Sequence, residues 1–256
     1  MSVAVVLAVL LAVLIGVSLA TLGSGGSIIT VPVLVYLAGV PAHSAVGMSL
    51  VIVGTTAAAG SYLQSRSGGF HRRAAAIFAA TGVAGAFVGA RLTHLVTGDT
   101  LMAIFAALLL LAGWRMLAWA MPADARRACR MPACLAVGLS LGVLTGFLGI
   151  GGGFLIVPAL VLVAGLDMRR AVPTSLAIIA FNAAGGLAGQ LRYASFDWPL
   201  TAAFLGSALT GMVGGSMLTR RLSADLLRRG FAWAVMALGA AILASQVLAR
   251  AGLLRR

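Results

Sequence analysis

Hydrophobic positions in this chain do not alternate with polar ones; they run together in long blocks with short polar interruptions. Ten blocks can be marked, at roughly 2–22, 27–40, 44–63, 74–96 and 100–121 in the first half and 132–148, 154–166, 171–190, 199–218 and 227–249 in the second. They are rich in Ala, Leu and Gly and lack the strict in-and-out alternation of a barrel strand, so the pattern predicts membrane helices. The second block of each five is short. About 14 residues at about 1.5 Å each cover only about 21 Å of a hydrocarbon layer about 30 Å thick, so 27–40 and 154–166 are not expected to cross alone. Polar connections of at most about ten residues leave room for one membrane domain, 1–256, and no soluble one.

The two sets of five are copies of each other. Residues 16–66 align with 142–192 at a constant offset of 126, with 22 identities in 51 ungapped positions, too many for shared apolar composition alone. At the centre of the match is a glycine cluster that interrupts the apolar run: Gly23-Ser24-Gly25-Gly26-Ser27-Ile28-Ile29-Thr30-Val31-Pro32 recurs as Gly149-Ile150-Gly151-Gly152-Gly153-Phe154-Leu155-Ile156-Val157-Pro158. Ser49 recurs as Ser175, Gln64 as Gln190 and Arg66 as Arg192; Gly85 and Gly89 recur as Gly211 and Gly215, a small-xxx-small spacing suited to close helix packing. The halves are therefore 1–121 and 132–256, joined by the linker 122–131. Block 2–22 ends in small residues like a signal peptide, but it has no positive n-region and its end belongs to the first repeat, so it is read as a retained helix.

Composition agrees with the pattern: 61% hydrophobic, 9% charged and a mean hydropathy of +1.09. The net charge of +13 rests on arginine alone, since the chain has no Lys and no Glu. That excludes a Walker phosphate loop and a Schiff-base lysine, and arginines at block ends speak for membrane orientation rather than for nucleic acid. If the first two blocks of each half form a hairpin or re-entrant pair, the halves are inverted and 13 arginines fall on one side against 5 on the other; parallel halves give 11 against 7. The positive-inside rule thus favours inversion, a cytoplasmic linker and both termini outside. Cys129 and Cys134 flank the basic linker and are read as unengaged thiols.

Inverted repeats with interrupted helices suit a secondary transporter whose site lies where the breaks meet. A helix that restarts after a break presents unpaired N–H groups and the positive end of its dipole, which attract an anion. The candidate backbone donors are Gly25, Gly26 and Ser27 in one copy and Gly151, Gly152 and Gly153 in the other. Candidate side-chain contacts on the following block are Ser49, Thr174, Ser175 and above all Asn182, a carboxamide deep in an apolar run that needs partners. Gln64 with Arg66 and Gln190 with Arg192 end equivalent blocks and are candidates for gating or entrance roles. Against these readings stand bland ones: helix packing for the glycines, back-bonding to their own helix for the hydroxyls, and headgroup contact for the arginines. All five aspartates lie near block ends, so a carboxylate relay or cation site is not expected; the histidines have no metal-like spacing, and only His43 stands out as a coupling candidate. No catalytic nucleophile motif, cofactor site or metal site is expected.

The doubled motif at 23–32 and 149–158 resembles that of the sulfite exporter TauE/SafE family of membrane permeases, and the resemblance covers essentially the whole chain. The first copy departs from the second in carrying Ser24 and Ser27 where the second has Ile150 and Gly153. The resemblance implies a bacterial inner-membrane protein of two homologous halves and about eight membrane helices, moving small sulfur oxyanions or organosulfonates. The expectation is an all-α polytopic membrane protein with 8 to 10 segments that exports or imports a small anion, sulfite or a sulfonate, by alternating access. The alternative is a non-transporting membrane assembly subunit whose glycines serve packing only.

Overall fold

A computed structural model of the chain describes residues 3–23, 26–65, 70–118, 131–149, 153–166, 168–192, 194–218, 233 and 236–246. Each apolar block forms a helix. In chain order these are α1 (Val3–Leu22), α2 (Gly26–Pro32), α3 (Ala42–Ser65), α4 (Arg72–Leu92), α5 (Gly98–Ala118), α6 (Met131–Leu148), α7 (Gly153–Leu162), α8 (Met168–Gln190), α9 (Trp198–Leu218) and α10 (Met236–Gln246). Spans of α3, α4, α8 and α9 are long and apolar enough to cross a membrane, and the chain is a multi-pass membrane protein. The two short blocks are short helices. At Pro32, which has no N–H to give, α2 widens into a π-helical turn over Val33–Leu37.

The sequence repeat is also a repeat of local geometry. Gly39 and Gly165 both take positive φ, 70° and 66°, and each terminates its short helix in the same way: Val40 N donates to Leu34 O at 2.9 Å, and Leu166 N to Leu160 O at 3.0 Å. Even where the residue differs, the role is kept. His71 Nδ1 accepts from Ala74 N at the head of α4, and Asp197 Oδ1 accepts from Leu200 N at the equivalent head of α9, both at 3.1 Å.

Glycines decide which helices come close. On α1, a Cβ added to Gly16 would stand 1.9 Å from Ala208 O of α9; at its twin Gly142 on α6 it would stand 2.3 Å from Gly82 O of α4. Gly85 meets Leu139 O of α6, and Gly211 meets Val13 O of α1, so the Gly85/Gly211 pair serves packing, as the small-xxx-small spacing predicts. Each half therefore lends its fourth helix to the first helix of the other half. Between these pairs lie α3 and α8, which run antiparallel: Gly47 faces Ala194, Gly54 faces Ala183 and Gly60 faces Leu176. The centre of the molecule is α8, with 72% of its Arg170–Gln190 span buried against 33% for Trp198–Met217 of α9.

One expectation is corrected. Cys134 is disulfide-bonded rather than an unengaged thiol, and the chain's only other cysteine is Cys129. Nothing in the sequence signals the bond, because neither cysteine sits in a motif that demands a partner. Residues 119–130, including nearly all of the linker, lie outside the described residues, as do the terminal arginines.

Candidate functional site

Both glycine breaks begin as helix ends. Gly23 closes α1 with φ +69° and its N–H on Leu19 O at 2.9 Å; Gly149 closes α6 with φ +68° and its N–H on Thr145 O at 2.9 Å. Left-handed backbone favours glycine on its own account. Packing adds a second reason, since a Cβ on Gly149 would stand 2.7 Å from Val46 Cα, and one on Gly23 would stand 3.0 Å from Val172 Cα. After the first break α2 starts beside the middle of α1, where a Cβ on Gly26 would be 1.9 Å from Ile15 O.

Each break is tied to the other half of the protein. The buried Ser175 hydroxyl of α8 donates to Gly23 O at 2.9 Å and shares its proton with Val172 O at 2.7 Å. Its twin, Ser49 of α3, donates to Gly149 O and to Val46 O at 2.8 Å. The chemical consequence lies in the dipoles. The carbonyl ends of α1 and α6 carry partial negative charge that would repel an anion held at the neighbouring amide ends of α2 and α7. A serine proton on the terminal carbonyl weakens that repulsion and fixes the turn, although it also occupies the hydroxyl that the sequence assigned to direct anion contact.

The two clamps do not meet at one depth. Ser61 Oγ lies 3.5 Å from Pro173 O and Gly60 packs on Leu176, so Ser175 stands level with Gly60 and Ser61 of α3. From Ser49 to Ser61 is about 12 residues, or about 18 Å along the helix. The capped carbonyls of the two breaks, Gly23 and Gly149, stand on opposite sides of the middle of α3, while the short helices that follow them, α2 and α7, touch one another. The reason is geometric: equivalent serines near the starts of two antiparallel helices must stand at opposite ends.

The remaining candidates divide. Ser27 is buried on the first turn of α2, and Gly153 opens α7. Thr174 is buried and accepts the His71 N–H at 3.1 Å, which places it at the head of α4 rather than at a break. Asn182 is 1% exposed, with Oδ1 unpartnered against Gly82 of α4. It lies seven residues beyond Ser175, about 10 Å by helix rise. Gln64 donates to Ala20 O at 3.0 Å, capping the end of α1, whereas Gln190 is fully buried and meets His94. Arg192 is exposed just past α8. Gly25, Arg66, Gly151 and Gly152 lie outside the described residues. Sequence reasoning passed over His94 and His71, and the only signal for either was a polar side chain at the edge of an apolar block. Among the described residues no three His, Cys, Asp or Glu side chains gather to hold a metal ion. A groove of about 510 Å³ beside α4 and α8, lined by Phe70, Val83, Phe181 and several alanines, includes no residue of either break.

A family model described as "Sulfite exporter TauE/SafE" matches residues 8–242. A "Probable membrane transporter protein" of Xylella fastidiosa (strain Temecula1 / ATCC 700964) is 36% identical over 235 residues, covering 88% of this chain and 89% of that protein. The "Probable membrane transporter protein YdhB" of Bacillus subtilis (strain 168) is 27% identical over 228 residues, covering 87% of this chain and 93% of that protein. No solved structure matches the chain. With the match running from α1 into α10 and both doubled breaks inside it, the chain belongs to the sulfite exporter TauE/SafE family.

Proposed function

We propose that this protein is a secondary transporter of a small sulfur oxyanion, sulfite or a sulfonate, working by alternating access between two inverted halves. The observation that carries the reading is the reciprocal clamp, in which each half holds the glycine break of the other through Ser49 and Ser175. Such cross-ties make the position of each break depend on how α3 and α8 sit against one another, which is the coupling that alternating access requires. The antiparallel course of α3 and α8, and the exchange of α4 and α9 between halves, support the inverted arrangement. Because the capped carbonyls stand on either side of the middle, each break is the half-site reached from its own side. Gly25, Gly26 and Ser27 serve one half-site, Gly151, Gly152 and Gly153 the other, and Asn182 lies on the path between them.

The arginine count supports an inner-membrane location with the linker in the cytoplasm and the termini outside. Arg72, Arg73 and Arg170 belong to the end of the bundle where α3 finishes, and Arg91 and Arg192 to the end where it starts. The family model and the two relatives named as probable membrane transporters support a carrier rather than an enzyme.

Counterflow in proteoliposomes tests the reading, with sulfite, sulfoacetate, thiosulfate and small carboxylates as the panel. The wild type is expected to exchange at least one sulfur oxyanion, and Gly152→Leu is expected to abolish that flux while inserting normally. Silence of the wild type across the panel would overturn the transporter assignment, and normal flux through Gly152→Leu would remove the breaks from the site.

A further inference from the structure

At the end of the bundle where α3 starts, a polar cluster stands against the second break. Gln190, the last residue of α8, is fully buried; His94 Nε2 lies 2.8 Å from Gln190 Oε1, and the Gln190 Nε2 has no hydrogen-bond partner. The His94 ring stacks on His43, with centroids 5.6 Å apart and planes at 18°, and His43 Nε2 donates to Val96 O at 3.2 Å. Two contacts join this cluster to the break. Val46, one turn along α3 from His43, packs on Gly149; Thr93, next to His94, donates to Phe147 O at 2.9 Å, two residues before Gly149.

The other mouth is built differently. Gln64, the twin of Gln190, spends its amide on Ala20 O, the carbonyl end of α1. At Gln190 the amide is turned the other way, because His94 holds the carboxamide oxygen and the two N–H donors of Nε2 are left without a partner. A buried primary amide with no acceptor is costly in an apolar protein, and the partner that removes the cost is an acceptor, best of all a charged one. The positions equivalent to His43 and His94 are Arg169 and Arg220, so the histidine pair has no copy in the repeat.

We propose that Gln190 Nε2 binds a small oxyanion at the mouth of the second break, with His94 as the residue that positions the carboxamide and His43 as the support that holds His94. The site takes the same chemical class as the transported substrate, and in that respect rests on the function proposed above. It would make this mouth a loading site for the Gly149 break and give the transporter two chemically unlike faces.

The test is equilibrium binding to purified protein in phosphatidylcholine nanodiscs, with labelled sulfite and labelled thiosulfate as the probes, alongside counterflow. Gln190→Leu fills the volume without the donors. It is expected to weaken binding by about tenfold, the worth of one hydrogen bond to a charged group. Its thermal midpoint without anion should equal or exceed that of the wild type, and the midpoint should no longer rise when anion is added. His94→Phe should weaken binding similarly and His94→Gln should restore it, while Gln64→Leu leaves it unchanged. A Gln190→Leu protein that binds as tightly as the wild type overturns the proposal, as does one that simply unfolds at lower temperature with binding intact. Absence of saturable binding of either probe to the wild type overturns it as well. Replacing the lipid by phosphatidylglycerol separates a free anion, whose binding stays unchanged, from a lipid phosphate, whose competition would overturn the assignment. Counterflow stands apart from these readouts: binding lost in Gln190→Leu with no flux in the wild type would keep this site and sink the transporter reading.

Discussion

Ser49→Ala removes one atom, and the structure gives the size of the effect. The hydroxyl is fully buried and donates to the terminal carbonyl of α6, Gly149 O, which as a helix-end carbonyl has no intrahelical donor. Alanine fits the same space and leaves that carbonyl unsatisfied in an apolar interior, a loss of about 1–3 kcal/mol. The accompanying bond to Val46 O adds little, because that carbonyl belongs to the interior of α3, where the backbone supplies its own donor. Ser140→Ala is the control: its hydroxyl bonds to Ala136 O within α6 on an exposed face and should change stability by less than about 0.5 kcal/mol. The assay is reversible unfolding in mixed micelles by titration with a denaturing detergent, followed by tryptophan fluorescence. Ser175→Ala should match Ser49→Ala, since the clamps are equivalent. At about 18 Å apart, the double variant should show the sum of the single losses to within about 0.5 kcal/mol. If Ser49→Ala is no less stable than Ser140→Ala, the clamps are incidental contacts and the case for coupled breaks falls with them.

Other expectations follow from the same contacts. Gly146→Ala should destabilise by about 1–3 kcal/mol, since a new Cβ would stand 1.9 Å from Ala86 O, whereas Gly214→Ala, with nothing within 4 Å, should be neutral or stabilise by up to about 1 kcal/mol. Detergent unfolding of both variants checks the contrast, and equal effects would refute the packing assignment. Gly149→Ala combines a left-handed backbone with a clash on Val46 and should cost more than either, reducing the yield of folded protein. For topology, a membrane-impermeant maleimide should leave Cys129 and Cys134 unlabelled in intact cells treated with a membrane-impermeant reductant, and label them once the cells are permeabilised in the same reductant. A disulfide gives no maleimide adduct until it is reduced, so the reductant is present in both arms. Labelling that appears in intact cells once they are treated with a reductant would put the linker outside and reverse the orientation.

Much of the architecture was legible along the chain because it is written in local terms. Apolar runs set the helices to within a few residues: block 44–63 is the core of Ala42–Ser65, and the two short blocks are Gly26–Pro32 with its π-helical continuation to Leu37, and Gly153–Leu162. Duplication announced that Gly23 and Gly149, or Gly39 and Gly165, share one backbone conformation, and they do to within a few degrees. The family, too, could be read from the doubled motif. Harder to read were contacts that depend on the direction in which helices pack. Ser49 and Ser175 were visible as a conserved pair within the chain, but not as caps on each other's opposite breaks. Gln64 and Gln190 look identical in sequence, yet one caps α1 and the other faces a histidine pair drawn from α3 and the end of α4.

Sequence by itself therefore determined the helices, the twofold repeat, the glycine turns and the family, since hydrophobic length, glycine chemistry and internal identity act over neighbouring residues. Tertiary structure alone decided where the two breaks stand and what each twin residue touches. Antiparallel packing of α3 on α8 sends equivalent serines to opposite depths, and it gives twin glutamines different neighbours wherever the repeat has diverged. A repeat in sequence fixes what is equivalent; only the packing of the copies fixes what meets.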